Sequence, residues 1–154
     1  MTARLVSVEI DPASLAPASP EVEQEREVAV ADLLEANHFA PEGGVGGPYA
    51  LRLAREDNRL ILEVSGPGYS RAHGLSLTPF RGIIKDYFLV CDSYFEAVRS
   101  SPERIEALDM GRRGLHNEGS ELLRERLAGK IELDLDTARR LFTLICALHL
   151  RAHA

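Results

Sequence analysis

The stretch "TPFRGIIKDYFLVCDSYFEAVR", residues 78–99, decides the fold class of this chain of 154 residues. Its apolar residues recur at steps of three and four, which predicts an amphipathic helix capped by Thr78 and Pro79. The apolar set is Phe80, Ile83, Ile84, Tyr87, Phe88, Cys91, Tyr94, Phe95 and Val98. Before this stretch the apolar residues tend to alternate, and after it their spacing stays helical. Strands first and helices afterwards predict an α+β fold.

The part of the chain before this helix predicts a small antiparallel sheet with one helix. "PYALRLAREDNRLILEV", residues 48–64, is the clearest hairpin, with its turn at "REDN". "RLVSVEID" is expected to be an earlier strand, and "RAHGLSLT" adds a fourth one. Between the first strand and the hairpin, Ser19 and Pro20 predict the start of a helix over "PEVEQEREVAVADLLEAN".

The part after residue 99 predicts two further helices. Ser101 and Pro102 are expected to open the first one, and Gly129 to close it. "KIELDL", residues 130–135, is either a brief extended link or a short edge strand. Asp136 is expected to cap the last helix, "TARRLFTLICALHL".

The last helix is apolar on nearly every side after Leu141. Such a helix is normally buried, which predicts either the centre of the helical bundle or an oligomer contact. Together these elements predict a single α+β domain over residues 1–154. Residues 1–78 are mainly β with one helix, and residues 79–154 form a three-helix half.

Composition narrows the function classes. A net charge of -6 argues against a general nucleic-acid binder. The N-terminus shows no signal-peptide pattern, and no run approaches the roughly 18 apolar residues of a membrane span, so we expect a cytoplasmic protein. Cys91 and Cys146 lie in apolar helical patterns without a CxxC pairing. They are expected to be buried free thiols, as suits a reducing compartment.

Three long strings carry a family resemblance: "HGLSLTPFRGIIKDYFLVCDSYFEAVR", "DMGRRGLHNEGSELLRERLAGKIELD" and "DTARRLFTLICALH". Through them the chain resembles the alphaproteobacterial uncharacterised protein family zero-two-six-two. The resemblance runs over most of the chain and is weakest near the N-terminus. It implies a small bacterial cytosolic protein, and it transfers no catalytic or binding residues. Candidate sites therefore have to be identified from the residues themselves.

The segment "DMGRRGLHNEGSELLRERL", residues 109–127, has a helical pattern that contains three glycines. Each interior glycine costs a helix roughly 1 kcal/mol relative to alanine. In a continuous helix, Gly111 and Gly119 flank the leucine seam on its two sides, which predicts a close approach of another helix. The alternatives are a break near "GRRG" that forms a ligand-binding loop, and a mildly unstable helix without a special role.

Two arginine doublets suggest a binding site. Guanidinium groups form bidentate contacts with phosphate or carboxylate, so two doublets on adjacent helices would create an anion site with neutral donors beside them. The predicted ligand-binding residues are Arg112, Arg113, His116, Asn117, Arg139 and Arg140. The alternative is an ordinary solvated helix face, in which Asp109 and Arg113 form an i,i+4 pair.

An acid–base enzyme is the second function class. His116 with Glu118, or His73 with Asp92, could supply the proton-transfer groups. Residues 116 and 118 diverge by about 160° on a helix, however, and no known catalytic or nucleotide-binding motif occurs.

Other candidate sites have simpler explanations. Cys146 and His149 are three residues apart in an apolar helix, where a core histidine is favoured over a metal ligand. The aromatic stripe of the first long helix is expected to be core.

We therefore predict a non-catalytic interaction or small anionic-ligand-binding protein that self-associates through a helical face. Of the possible proton-transfer groups we retain His116 as the candidate catalytic residue, and the sequence predicts no cofactor and no metal site. Its expected partners are a second copy of the chain, a protein partner or a small anionic ligand. The alternative is an acid–base enzyme acting on a phosphorylated or carboxylated metabolite.

Overall fold

A computed structural model describes residues 3–14 and 19–149 of the chain. Strands and helices occur in the order that the sequence predicts, which confirms the α+β class. The strands are β1 (Leu5–Ile10), β2 (Phe39–Pro41), β3 (Tyr49–Glu56), β4 (Arg59–Gly66), β5 (Tyr69–Ser76) and β6 (Ile131–Leu133). The helices are α1 (Pro20–Glu35), α2 (Arg81–Ser100), α3 (Ile105–Leu127) and α4 (Leu135–His149).

The main sheet has the strand order β1-β3-β4-β5. The predicted hairpin is confirmed: β3 and β4 pair antiparallel up to Glu56 and Arg59. The two residues between them include Asp57 at φ 55, a left-handed conformation that aspartate tolerates better than most residues. β1 pairs parallel with β3, however, so the sheet is not antiparallel throughout. The connection through α1 returns the chain in the direction of β1, as a parallel pair requires.

A second, two-stranded sheet joins β2 to β6. The short strand that was one of two predicted structures for residues 130–135 is therefore present. Phe39 pairs with Leu133 and Pro41 with Ile131. Phe39, Leu133 and Ile131 are buried, so this small sheet extends the core between the two halves of the chain.

The helix caps agree with the sequence in part. Ser19 caps α1, and its hydroxyl accepts from the Val22 amide at 3.3 Å. The predicted caps Thr78 and Ser101 are wrong, because neither side chain caps a helix and a short 3-10 turn precedes each helix instead. Asp134 rather than Asp136 caps α4, with Oδ1 accepting from the Thr137 amide at 2.9 Å.

The buried face of the main sheet and the helices share one apolar core. α4 lies at its centre, packed between α1 and α3. Its buried residues are Ala138, Leu141, Phe142, Leu144, Ile145, Cys146, Ala147 and Leu148. The prediction that α4 is the central helix is confirmed. The alternative, an oligomer contact through this helix, is wrong for the described residues because the fold itself covers their apolar surface up to Leu148. Self-association through another surface stays a prediction.

α2 is less buried than its pattern predicts. Phe80, Ile84, Cys91 and Ala97 are buried, whereas Phe95 is 58% exposed and Val98 is 51% exposed. α2 packs chiefly against α3, and its far side is left to solvent. The prediction that the aromatic stripe is core is therefore right for Phe80 and wrong for Phe95.

Candidate functional site

α3 is one continuous helix, so the alternative of a break near "GRRG" is excluded. Gly119 provides the close approach that its pattern predicts. A Cβ atom at this position would lie 2.2 Å from Cζ of Phe142 on α4. Gly111 has its nearest such neighbour at 3.8 Å, and Gly114 has none within 4 Å, so packing explains only one of the three glycines.

Close packing of α3 on α4 brings most of the predicted binding residues together. A pocket of about 480 Å³ opens between α2, α3 and α4. Its lining residues are Tyr87, Arg112, Arg113, His116, Asn117 and Arg139. These include every predicted ligand-binding residue except Arg140. α3 and α4 are therefore adjacent, as the predicted site requires.

Arg140 lies elsewhere. Its Nη1 donates to the carbonyl oxygens of Asp32 at 2.7 Å and Ala36 at 3.0 Å. These carbonyls belong to the C-terminal end of α1, where a cation complements the helix dipole. Since neighbouring helical residues diverge by about 100°, Arg139 and Arg140 face different helices. The second doublet is split between a pocket and a helix end.

The arginines of α3 are held by one carboxylate. Asp109 pairs with Arg112 and, through Oδ2, with Nε of Arg113 at 3.1 Å, which includes the predicted i,i+4 pair. The guanidinium of Arg112 also lies over the Tyr94 ring, 4.4 Å from its centroid. The Arg113 side chain is 76% exposed. Arg112 is therefore fixed in place, while Arg113 reaches into solvent at the mouth of the pocket.

Arg139 connects the two helices across the pocket. Its Nε donates to Oδ1 of Asn117 at 3.0 Å, and its Nη1 lies 3.6 Å from Oδ1 of Asp136. Because the Asn117 oxygen accepts from Arg139, its amide nitrogen can serve as a donor to a ligand. The two side chains thus present N–H groups from opposite walls of the pocket.

His116 lies in the floor of the pocket, with its Nε2 2.8 Å from Oγ1 of Thr143. The Thr143 hydroxyl donates to the carbonyl of Arg139 at 3.1 Å, so the geometry assigns the donor in the His116 contact to Nε2–H. Nδ1 faces the buried Ser120, whose hydroxyl donates at 2.7 Å to the His116 carbonyl. Both ring nitrogens are thus directed at protein groups.

The surroundings of His116 favour its neutral form. Desolvation by burial, and then the positive charge of Arg139, lower the pKa of His116 below its ordinary value. The imidazole also packs between aromatic rings, with centroids 5.5 Å from Tyr87 and 5.2 Å from Phe142. At neutral pH His116 is a neutral donor that joins α3 to α4.

The other candidate pairs are not brought together in this way. His73 lies on β5 opposite Leu62, and Asp92 is exposed on α2 in the helical layer. Glu118 is exposed and lies two residues from His116 on an unbroken helix, so the two side chains diverge.

The thiols and the metal candidates are the remaining predictions. Cys91 and Cys146 are buried and form no disulfide, as predicted. The side chain of His149, the proposed companion of Cys146, lies outside the described residues. Within residues 3–14 and 19–149, no three His, Cys, Asp or Glu residues gather as metal ligands would.

Sequence reasoning missed two residues of the site. Tyr87 was placed in the core as part of the aromatic stripe, yet it lines the pocket. Thr143 supports His116 from α4 and was not singled out. Its signal is a lone hydroxyl in an apolar run, four residues after Arg139 and therefore on the same helix face.

Comparison with known proteins identifies the family. The profile of uncharacterised protein family (UPF0262) matches residues 2–151. The chain is 67% identical over 149 residues to the UPF0262 protein of Phenylobacterium zucineum, covering 96% of this chain and 94% of that protein. It is 65% identical to a UPF0262 protein of Caulobacter vibrioides with the same coverage. It is 60% identical to that of Maricaulis maris, covering 97% and 95%.

The chain therefore belongs to uncharacterised protein family UPF0262, as the resemblance predicts. No solved structure matches the chain. Among the described residues, no helix combines the length and the apolar character that crossing a bilayer requires.

Proposed function

We propose that this protein binds a small anion, such as a phosphate, sulfate or carboxylate group, in the pocket between α2, α3 and α4. The observation that carries the proposal is the convergence of three arginines from two helices on one concavity, in a chain whose net charge is -6. Guanidinium groups and neutral N–H donors are the usual partners of tetrahedral and planar oxyanions.

The carboxylates beside the pocket moderate its charge without closing it. Asp109 faces Arg112 and Arg113, and Asp136 lies near Arg139. A guanidinium carries five N–H groups, so one contact with a carboxylate leaves others for a ligand. The pairing also holds Arg112 in position before a ligand arrives, which lowers the entropic cost of binding. These charges support reversible binding of modest affinity.

Titration with sodium sulfate, followed by calorimetry, tests the proposal. We expect saturable binding that weakens about tenfold or more in Arg113→Gln and in Arg139→Gln, the usual loss for one hydrogen bond to a charged group. Arg126→Gln is the matched control, since Arg126 is exposed on the same helix thirteen residues away, about 20 Å along its axis. Equal affinity in all four proteins would refute an anion site in this pocket.

The geometry around His116 supports binding over proton transfer. A general base needs an unprotonated nitrogen within reach of substrate, whereas Nε2 carries its proton toward Thr143 and Nδ1 is directed at the buried Ser120. An acid–base enzyme acting on a phosphorylated or carboxylated metabolite is therefore the weaker alternative. Turnover of such a metabolite that is abolished in His116→Gln and retained in Thr143→Ala would reverse this preference.

Self-association is proposed on a different surface from the one that the sequence suggests. α2 exposes Leu89 and Val98, which are 55% and 51% accessible, and α3 exposes Met110 at 68%. Contact between copies would cover these apolar side chains. Light scattering should give more than the 17.0 kDa of one chain, and serine at all three positions should restore that mass. The two buried cysteines, which form no disulfide, support a reducing, cytosolic location.

A further inference from the structure

A second concavity adjoins the anion pocket. A groove of about 520 Å³ runs between α1, α2 and α4, a size that suits a small organic ligand. Most of its exposed surface is apolar, and its walls include Val28 from α1, Phe88 and Phe95 from α2, and Ala147 from α4. The groove and the pocket share two lining residues, Tyr87 and Arg112.

Large apolar side chains are exposed to solvent in the groove. Val28 is 52% and Phe95 is 58% exposed, and they line it from α1 and α2. Deeper in the groove lie Cys91 and Cys146, and burial raises the pKa of the Cys146 thiol. Cys146 therefore stays protonated and acts as an apolar wall. Among the described residues, α4 contributes only the uncharged Thr143, Cys146 and Ala147 to the groove.

Charge is distributed unevenly around the combined cleft. Glu21, Glu25 and Asp32 line the groove from α1, whereas the arginines lie on the α3 and α4 side. An anionic group is repelled by the α1 wall and attracted to the pocket. A molecule with one anionic end and one apolar end can therefore lie in this cleft in one orientation.

We infer that the natural ligand is an anionic amphiphile, with its acidic group in the arginine pocket and its apolar part in the adjoining groove. The inference rests on the proposed anion site and adds the class of ligand that fills it. Thr143 lines the groove and also holds His116 of the pocket, so the two ends of the ligand contact one connected set of side chains.

A series of butyl, hexyl and octyl sulfate, used below their micelle concentrations, tests this inference by calorimetry. Each methylene that enters the groove should tighten Kd by up to about fourfold. The Val28→Ser/Phe95→Ser double variant should lose most of this gain, while its affinity for inorganic sulfate stays unchanged. Val6→Ser/Val45→Ser is the matched control, because it removes two exposed apolar residues that lie outside both the groove and the proposed contact between copies, and it should keep the full gain.

The outcomes separate the two proposals. Sulfate binding that depends on Arg139, together with equal affinity for butyl and octyl sulfate, would overturn the amphiphile and leave the anion site standing. A chain-length gain that is equally large for alkyl trimethylammonium ions, or that survives Arg139→Gln undiminished, would also overturn it. No binding of inorganic sulfate would count against the anion site itself.

NMR provides an independent check. Octyl sulfate should shift the methyl signals of Val28 and Ala147 and leave those of Leu89 and Val98 in place. Equal shifts at all four would show nonspecific surfactant binding and contradict the inference.

Discussion

Glycine and arginine have different roles in the two halves of α3. The packed half is residues 117–127, and the open half is residues 105–116. The buried residues of α3 are Gly119, Ser120, Leu123 and Leu127, all in the second half of the helix. The first half has no buried residue and lines the arginine pocket. Glycine at 119 is required by a ring of α4, whereas glycine at 114 meets no neighbour. The packed half fixes the helix against α4, and the open half lines the pocket for which we propose anion binding.

Arginines show the same contrast. In the packed half, Arg124 donates through Nε to the Leu133 carbonyl of β6 at 2.9 Å. In the open half, Arg113 meets a carboxylate and solvent. On α4, Arg139 joins the pocket while Arg140 caps α1. The role of each arginine therefore depends on the element that its side chain contacts. Single substitutions can test packing and the proposed binding separately.

Gly119→Ala should have the largest effect on stability. Its Cβ would overlap the Phe142 ring, which is held in the core and cannot move aside freely. Overpacking of this kind lowers the free energy of unfolding by about 1–3 kcal/mol. Urea denaturation measures the loss, and stability equal to wild type would show that the α3–α4 contact is looser than its geometry indicates.

Arg140→Gln should lower the free energy of unfolding by about 1–2 kcal/mol, because two carbonyls at the end of α1 lose a charged donor. Its Kd for sulfate should not change. Arg139→Gln is the neighbouring control and should do the reverse, weakening sulfate binding with a smaller loss of stability. A sulfate Kd that changes in Arg140→Gln would contradict the separation of Arg139, in the pocket, from Arg140, at the end of α1.

Gly114→Ala should raise the free energy of unfolding by about 0.5–1 kcal/mol. No atom lies within 4 Å of the added Cβ, so the intrinsic helix preference of alanine is gained without a clash. The same chemical change therefore has opposite signs five residues apart on one helix. A destabilising Gly114→Ala would mean that the open half of α3 packs against something after all.

His116 should contribute a small pH dependence to stability. Its pKa is lowered in the folded state, first by burial and then by Arg139, whereas in the unfolded chain it lies near its ordinary 6.5. As pH falls below 6.5 the unfolded state takes up the proton first, so stability is lost between 6.5 and the lower folded pKa. Tm measured from pH 7.5 to 5.0 should therefore fall less in His116→Gln. Parallel curves would contradict this assignment.

The sequence predicts elements well and pairings poorly. Apolar spacing locates α2 and α4, and the period-two pattern locates the β3–β4 hairpin, because each reports a local repeat. The parallel pairing of β1 with β3 and the β2–β6 sheet join residues far apart in the chain, which no local pattern encodes. Asn37 makes another such long-range contact. Its side chain hydrogen-bonds to the amide and the carbonyl of Leu5 on β1, and also to the nearby carbonyl of Leu33.

The site was predictable to the extent that helical periodicity applies. Arg112, Arg113 and His116 are predicted binding residues that lie within about one turn of α3, and all three line the pocket. The prediction that both arginines of the α4 doublet line one site is wrong. Adjacent helical residues point in different directions, and only the fold determines which of Arg139 and Arg140 faces α3. The caps predicted at Thr78, Ser101 and Asp136 are wrong because several neighbouring residues are compatible with a helix start, and the local sequence does not choose between them.

The most direct test of the account follows arginine side chains during a sulfate titration by NMR. The Nε–H signals of Arg113 and Arg139 should shift together and saturate with one Kd, while those of Arg126 and Arg140 stay in place. Equal shifts of all four signals, or of none, would contradict an anion site formed between the open half of α3 and α4.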